Sequence, residues 1–527
     1  MKKKPDVKKN TLLIVAFFEG AAVMACELFS AKMIAPFFGT TIYSWAGVLA
    51  ITLLALASGY YLGGALTTRF QPIRLLYVIL LSSGLFLFLM PFISQYVMIA
   101  TKDLSIITGL ITSLLVFTFP PILFFGMVSP VIVHSLVSSI DITGKTAGKV
   151  YAVSTVGGVI NTLLLGFYII PEFGIRLPAF VYGAFMILLP NIMLIKKRWL
   201  YSSIVVIVFI MFFNSGTVKS DKGHHEIFDV LYSSEGLLGQ VKVLDFNISM
   251  KHFGPVYPRG LLVNNTWQTL INRKNEISLL DYVYFINPLF TRYPEKSKVL
   301  LIGLGGGTLT REIQKRNLDL EVVELDKRLK DISIKYFGMN PSTRVIIDDG
   351  RHYLETTHKK YDIIILDAFQ GENPPWQLLT LESFDKIQSL LNPGGLLIIE
   401  FFGFIKGDMG SGTRAVLKTM KAAGFHVDMI GTRHNEKERN FILIGTEHGF
   451  DFSNLKYDEF TYSDQKVNDL RKFVYNADQV DLSTSPILTD DDPVLEKLLM
   501  KPSIDWRKNL NEIFRDRLIM DKQPIFY

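Results

Sequence analysis

The sequence predicts two folds in series: a multi-pass α-helical membrane domain, then an α/β domain with a doubly wound parallel sheet and a small β-rich segment ahead of it. Three observations carry this expectation. The chain has 527 residues, is 49% hydrophobic and has a mean hydropathy of +0.29, too apolar for an ordinary soluble protein of this length. The excess is concentrated at the front, where the first 216 residues hold 15 Lys/Arg and 6 Asp/Glu against 40 and 43 in the remainder. Behind it, short β-like runs alternate with amphipathic helical stretches, the pattern of a parallel sheet covered on both faces.

In the front part, a spanning helix needs roughly 20 predominantly apolar residues. Runs at 12–33, 43–67, 75–100, 104–137, 150–170, 177–195 and 199–213 give about seven transmembrane helices within a membrane domain of residues 1–215. The fourth run is too long for one straight crossing and contains Pro120-Pro121, so a kink or a break is expected there. The start, MKKKPDVKK, has no cleavage-site pattern and reads as a retained cytoplasmic flank. Arg69 and Arg74, Lys145 and Lys149, and Lys196, Lys197 and Arg198 fall in alternate loops on the side of that flank. Seven crossings leave the rear domain outside the cell, whereas a fourth run split into two crossings leaves it inside. Glu19 and Glu27 lie two turns apart on the first span, where a carboxylate is costly enough to point either to a path for a polycation or to a packing role near Lys32. The stretch GYYLGG at 59–64 and the pair Gly157-Gly158 mark close helix contacts.

The net charge of +6 is an average of about +9 in front and about −3 behind, so the basic balance belongs to membrane-flanking residues and lends no support to a nucleic-acid partner. The single cysteine, Cys26, excludes a disulfide framework and a cysteine zinc site. A polar linker at 216–227, with His224-His225 as a solvated pair, leads to the domain at 228–450 and an extension at 451–527 that completes it.

Strand-like runs at 240–246, 259–264, 298–302, 319–323, 344–347, 361–366 and 395–401 are separated in part by helical stretches such as 308–316 and 381–391. Four features fall at the ends of successive strands, where such sheets bind ligands. In KVLLIGLGGGTLTREI, Gly303, Gly305, Gly306 and Gly307 form a turn between strand and helix that lets a ligand approach the backbone, or that serves packing alone. In VVELD, Glu324 ends the next strand 19 residues after Gly305, a spacing suited to a carboxylate that accepts from both hydroxyls of a ribose. In IIDDGR, Asp349 and Gly350 follow a further strand, either to accept from an adenine amino group or to form an Asp-Gly turn. In YDIIILDAF, a buried strand delivers Asp367 to the sheet edge, as a general base or as a helix N-cap. The turn is GLGGGT rather than GxGxxG and no second mononucleotide half follows, so a nucleoside carrying a sulfonium fits better than a dinucleotide.

With these residues in place, the chain from 228 to about 494 resembles the spermidine synthase family of polyamine aminopropyltransferases, and the whole chain resembles its membrane-fused bacterial members. The stretch ELFSAKMIAPFFGTTIYSWAGVLAITLLALASGYYLGG is similar to the start of their membrane domain, and GLGGGTLTRE, VVELD, YFGM, DDGRHYL, YDIIILDAF and LTDDDPV follow in family order. The resemblance implies a Rossmann-like domain of the class I methyltransferase type, with decarboxylated S-adenosylmethionine as co-substrate and no prosthetic group or metal. It also implies putrescine or a related amine as acceptor, spermidine as product and 5′-methylthioadenosine as by-product. By position, Gln240 and Gln268 would line the donor site with Gly303, Gly305 and Gly350, Glu324 would hold the ribose, Asp349 the adenine, and Asp367 would take the proton. The chain departs from the family at Gly306 and Gln370, where aspartates are usual, at Leu279-Leu280-Asp281 in place of Tyr-His-Glu, and at Asn264-Asn265 in place of Asp-Gly. Asp281 and Gln370 thus stand as candidates for the acceptor side, and Asp490 or Asp491 lies either there or on an exposed loop. The expected partners are membrane lipid and a small-molecule amine, at the cell membrane, with a homo-oligomer left open and no nucleic acid. A methyltransferase acting on a small molecule, and a polyamine transporter or sensor without turnover, are the competing readings.

Overall fold

The apolar runs of the front part become α1 (Lys9–Phe38), α2 (Ile42–Leu66), α3 (Pro72–Ala100), α4 (Ile106–Phe117), α5 (Phe119–Leu136), α6 (Thr143–Leu164, continued by a π turn to Phe173) and α7 (Arg176–Met193). The computed structural model describes residues 7–40, 42–101, 104–137, 143–193, 228–236, 238–247, 256–369, 373–436, 439–457 and 467–508. The expected seventh span at 199–213, the linker at 216–227 and Gln370 lie outside the described residues. Five of the described helices are long and apolar enough to cross a membrane, and two shorter apolar ones accompany them, Ile106–Phe117 and Arg176–Ile192.

The long fourth run is interrupted at Thr118, directly ahead of Phe119-Pro120-Pro121. Thr118 keeps helical dihedrals (φ −92°, ψ −44°) and its N–H still donates to Leu114 O at 2.9 Å. A reversal of direction needs several non-helical residues, so α4 and α5 form one bent run and not a hairpin. The close contacts expected at the glycines are present: a Cβ on Gly59 would lie 2.4 Å from Leu123 O in α5, and one on Gly157 would lie 2.0 Å from Phe17 O in α1. Glu19 is buried where α1 meets α5 and α6, accepting from Ser154 at 2.8 Å and Ser129 at 3.4 Å.

The chain divides into two compact units, one holding the helices above and one holding most of the rear part, Lys242–Leu510. A four-stranded sheet in the order β1-β2-β3-β4 comes first: β1 (Phe228–Ser234), β2 (Val241–Phe246), β3 (Pro258–Val263) and β4 (Thr266–Asn272). A short helix, α8 (Tyr282–Ile286), leads to the main sheet. Its strands are β5 (Lys298–Ile302), β6 (Asp319–Glu324), β7 (Arg344–Ile347), β8 (Tyr361–Leu366), β9 (Leu391–Phe402), β10 (His426–Gly431), β11 (Asn440–Thr446) and β12 (Val474–Tyr475). Between them run α9 (Thr308–Lys315), α10 (Lys327–Phe337), α11 (Gly350–Thr356), α12 (Leu381–Leu390) and α13 (Ser411–Ala422).

The strand order is β12-β10-β11-β9-β8-β5-β6-β7. Strands β5 to β9 pair in parallel as predicted, but β11 runs antiparallel to β9, and β10 antiparallel to β11 and β12. The wholly parallel expectation is therefore corrected to a mixed sheet. The connection from β10 to β11 spans only residues 432–439, too short for a crossover helix, so these two strands can pair only as a hairpin. From β5 the chain winds outward through β6 and β7, then returns to β8 and β9 on the other side. This reversal between β5 and β8 is the switch point at which open α/β sheets form a crevice.

Candidate active site

The crevice is made by backbone first. Gly303 leaves β5 with φ +97°, and a Cβ there would lie 2.1 Å from the Asp367 carbonyl oxygen. Only glycine lets the ends of β5 and β8 lie this close, tied by Asp367 N donating to Ile302 O at 2.9 Å. The turn continues through Gly305 into α9, while Gly306 N donates to Thr269 Oγ1 at 2.7 Å. Thr269 belongs to β4, so the small sheet closes over the turn. A Cβ on Gly306 would stand 2.7 Å from Thr269 Cγ2, which means Thr269 fills the volume of a side chain at 306.

Along the same edge, Glu324 ends β6 buried beside the turn. One carboxylate oxygen accepts from Leu304 N at 2.9 Å and the other from Asp326 N at 2.7 Å. Burial pushes its pKa up and the backbone donors oppose this. The Leu325 N–H adds a third backbone donor, and the carboxylate keeps one acceptor direction for a hydroxyl. Asp349 caps α11, accepting from Arg351 N at 2.8 Å and His352 N at 3.0 Å, and Gly350 packs where a Cβ would lie 2.6 Å from Ile302 Cγ2. Gly303, Gly305, Glu324, Asp349 and Gly350 therefore gather along the edge of β5, β6 and β7. Gln268 joins Gly305 in lining the cavity described next. Gln240 is buried, and its Nε2 donates to Glu235 at 2.7 Å. Asp490 accepts from Arg351 at 2.8 Å and from Thr380 Oγ1 at 2.7 Å, so it ties the C-terminal segment to α11 and α12.

On the β8 and β9 side of the switch point lies a cavity of about 320 Å³ lined by Gln268, Asp281, Tyr282, Gly305, Asp367 and Glu400, with Leu279, Leu280, Phe369, Phe402, Phe404 and Trp506 as its apolar wall. Asp367 Oδ2 accepts from the Tyr282 hydroxyl at 3.1 Å. Burial pushes the Asp367 pKa up to about 7, against the pull of that hydrogen bond. Glu400, 5% exposed near the C-terminal end of β9, accepts from Asn440 Nδ2, and burial followed by the charge of Asp367 holds its carboxyl well above the usual range. Tyr282 is likewise raised well above an ordinary phenol, by burial and then by Asp367 and Glu400. Asp281 also lines the cavity, but its Oδ2 accepts from Arg433 at 2.7 Å.

Sequence reasoning missed Tyr282, Glu400 and Arg433. Glu400 had a readable signal, one carboxylate inside the apolar run LLIIEFF. Arg433 had none, because it sits in the β10 to β11 connection and reaches the cavity only through the hairpin.

Residues 287–401 match the spermine/spermidine synthase domain. A probable polyamine aminopropyl transferase of Bifidobacterium longum is 31% identical over 126 residues, covering 24% of this chain and 28% of that protein. A polyamine aminopropyltransferase of Methanocaldococcus jannaschii is 30% identical over 178 residues, covering 32% and 57%. The chain thus spans less than two thirds of the length of either relative. A polyamine aminopropyltransferase of Aquifex aeolicus is aligned over 473 residues at 22% identity, covering 86% of this chain and 91% of that one. A crystal structure of a probable spermidine synthase from Corynebacterium glutamicum shares 21% identity, covers 44% of this chain and 83% of that one, and has a TM-score of 0.35. The glycine turn, Glu324, Asp349, Asp367 and Glu400 all lie within the segment that matches the spermine/spermidine synthase domain.

Proposed function

We propose that the protein is a membrane-anchored aminopropyltransferase that moves the aminopropyl group of decarboxylated S-adenosylmethionine to putrescine or a related amine, with spermidine and 5′-methylthioadenosine as products. One observation carries the reading: within a spermine/spermidine synthase domain, the glycine turn and a half-buried, base-competent Asp367 face one cavity at the switch point of the sheet. Residues 1–215 are the membrane part, 216–227 the linker, and 228–450 with 451–527 the catalytic part.

The chemistry follows from charge. The sulfonium makes the adjacent propyl carbon electrophilic, but an amine near neutral pH is mostly protonated and has no lone pair to offer. Asp367 takes that proton, and a carboxylate with a pKa of about 7 is far better placed for this than an ordinary aspartate. The freed nitrogen attacks the carbon, the carbon–sulfur bond breaks, and its electron pair stays on sulfur as a neutral thioether. Glu324 holds the ribose, with Gly303 and Gly305 against the donor's backbone-facing side and Gln268 at the cavity wall. Asp349 at the head of α11 and Gly350 border the adenine, while Asp281, paired with Arg433, borders the acceptor end of the cavity.

The test is a product assay of the purified full-length protein with decarboxylated S-adenosylmethionine and a panel of amines. Release of 5′-methylthioadenosine is expected. S-adenosylhomocysteine from S-adenosylmethionine instead, or no product with any amine, overturns the reading.

A further inference from the structure

Four carboxylates line the cavity, and two of them already have a guanidinium. Asp281 is paired with Arg433 at 2.7 Å and Glu436 with Arg439 at 2.9 Å. Arg439 is occupied further, donating to the carbonyls of Gly403 and His434 and to the Tyr475 hydroxyl, with its guanidinium 4.3 Å from the centre of the Phe441 ring. The other two, Asp367 and Glu400, each receive one neutral donor, from Tyr282 and Asn440. Among the described residues no Lys, Arg or His is ion-paired with either. Glu400 is 5% exposed, and what remains accessible of it faces the cavity. Two acids in a dry site without a cation repel one another and are stabilised by a positive charge that arrives from outside.

We infer that Glu400 is a second carboxylate for the acceptor, that it and Asp367 bracket a single ammonium group, and that the site therefore prefers amines charged at one end over diamines. The inference rests on the proposed aminopropyl transfer and narrows its acceptor. An incoming ammonium gives one proton to the pair, which leaves a neutral nitrogen facing the electrophilic carbon. The C–N bond then forms as the C–S bond breaks, the sulfur keeps the electron pair, and the product leaves as a secondary ammonium. Farther along the cavity a second ammonium would meet, among the described residues, Leu279, Leu280 and Trp506, and an Asp281 already neutralised by Arg433. An alkyl chain is at home against that wall, whereas a desolvated ammonium is not. Glu400 thereby stands in for the acceptor-side carboxylate that the family usually carries at the position of Gln370.

The experiment is calorimetric titration of the full-length protein, in the presence of 5′-methylthioadenosine, with n-butylamine and with putrescine, for the parent and for Glu400→Gln. n-Butylamine is expected to bind at least as tightly as putrescine, and Glu400→Gln to weaken it tenfold or more while the affinity for 5′-methylthioadenosine stays within twofold. Parent protein that binds putrescine ten times more tightly than n-butylamine, or a Glu400→Gln protein that binds both as the parent does, overturns the inference. Should Glu400→Gln lose 5′-methylthioadenosine as well, Glu400→Asp decides, because setting the charge back by one methylene must weaken the amine about threefold and an unchanged affinity refutes the seat. Turnover is read separately with the same amines. Glu400-dependent binding without 5′-methylthioadenosine release removes the transferase reading and keeps the seat; release that is indifferent to Glu400→Gln does the reverse.

Discussion

Asp367 shows at the scale of one residue how function and stability pull apart. Its carboxyl is pushed up to about 7 by burial, so the base is ionised only above that value. With the proposed role, kcat/KM is expected to fall about tenfold per pH unit below roughly 7, and a flat profile between pH 5 and 7 would remove Asp367 as the base. The stability sign runs the other way. A raised folded-state pKa means that the unfolded chain ionises first as pH rises from about 4, so the folded state loses stability between there and about 7. Asp367→Asn should therefore abolish turnover, by roughly a hundredfold or more, yet raise the melting temperature at pH 8 and not at pH 4, which a pair of thermal scans reads directly. Gly306 gives a second residue-scale test. Placing the family's usual aspartate there does not restore a donor contact, because its Cβ would press against Thr269 at 2.7 Å. Gly306→Asp alone is expected to lose at least tenfold in kcat/KM, and Gly306→Asp with Thr269→Gly to recover part of it; equal activities in the single and double variants would show that Thr269 is not the obstacle.

At the scale of elements, the sequence was most legible where one property repeats. The apolar runs up to 177–195 fall on described helices, the fourth of them on two, and the double proline marks the break at Thr118. The alternation of strand and helix gave the strands β5 to β9 and their parallel class. What could not be read was pairing that depends on distant chain: nothing in HVDMIG or NFILIGT tells that these segments form an antiparallel hairpin beside β9. Close helix packing was legible through glycine, and it yields a prediction. At Gly157 a Cβ would lie 2.0 Å from Phe17 O, backbone that cannot swing aside, so a larger side chain must push α1 and α6 apart. Separation would also draw Ser154 away from Glu19, leaving a carboxylate in the bundle short of a donor. Gly157→Leu is expected to cost several kcal/mol by overpacking and lost hydrogen bonding together. In size-exclusion chromatography of detergent-solubilised protein its monodisperse peak should largely disappear, while Gly64→Leu, with open space around it, should behave as the parent.

At the scale of the whole catalytic unit, the residues that meet at the cavity come from distant parts of the chain, which is why only half of the site was visible beforehand. Strand-end motifs are local and were found; Tyr282, Arg433 and Trp506 reach the cavity through tertiary contacts that leave no local pattern. The tail of the described chain carries no motif, but Arg507 is 1% exposed and its Nη1 donates to Asn264 O at 2.8 Å. Asn264 and Asn265 form the turn from β3 to β4 with φ of +49° and +60°, and β4 carries Gln268 to the cavity and Thr269 to the glycine turn. The tail therefore holds the small sheet in register over the donor edge, with Trp506 beside it in the cavity wall. Removing the guanidinium leaves a buried carbonyl without this donor, at a cost of about 1–3 kcal/mol. Most of that should appear as loosened placement of β4 rather than as lost base chemistry. Arg507→Met is accordingly expected to raise KM for decarboxylated S-adenosylmethionine about threefold to tenfold with kcat within twofold, and Arg507→Lys, which keeps one donor, to fall between it and the parent. A fall in kcat at unchanged KM would mean that the tail acts on the chemical step, and unchanged kinetics in Arg507→Met would mean that β4 holds its register without it.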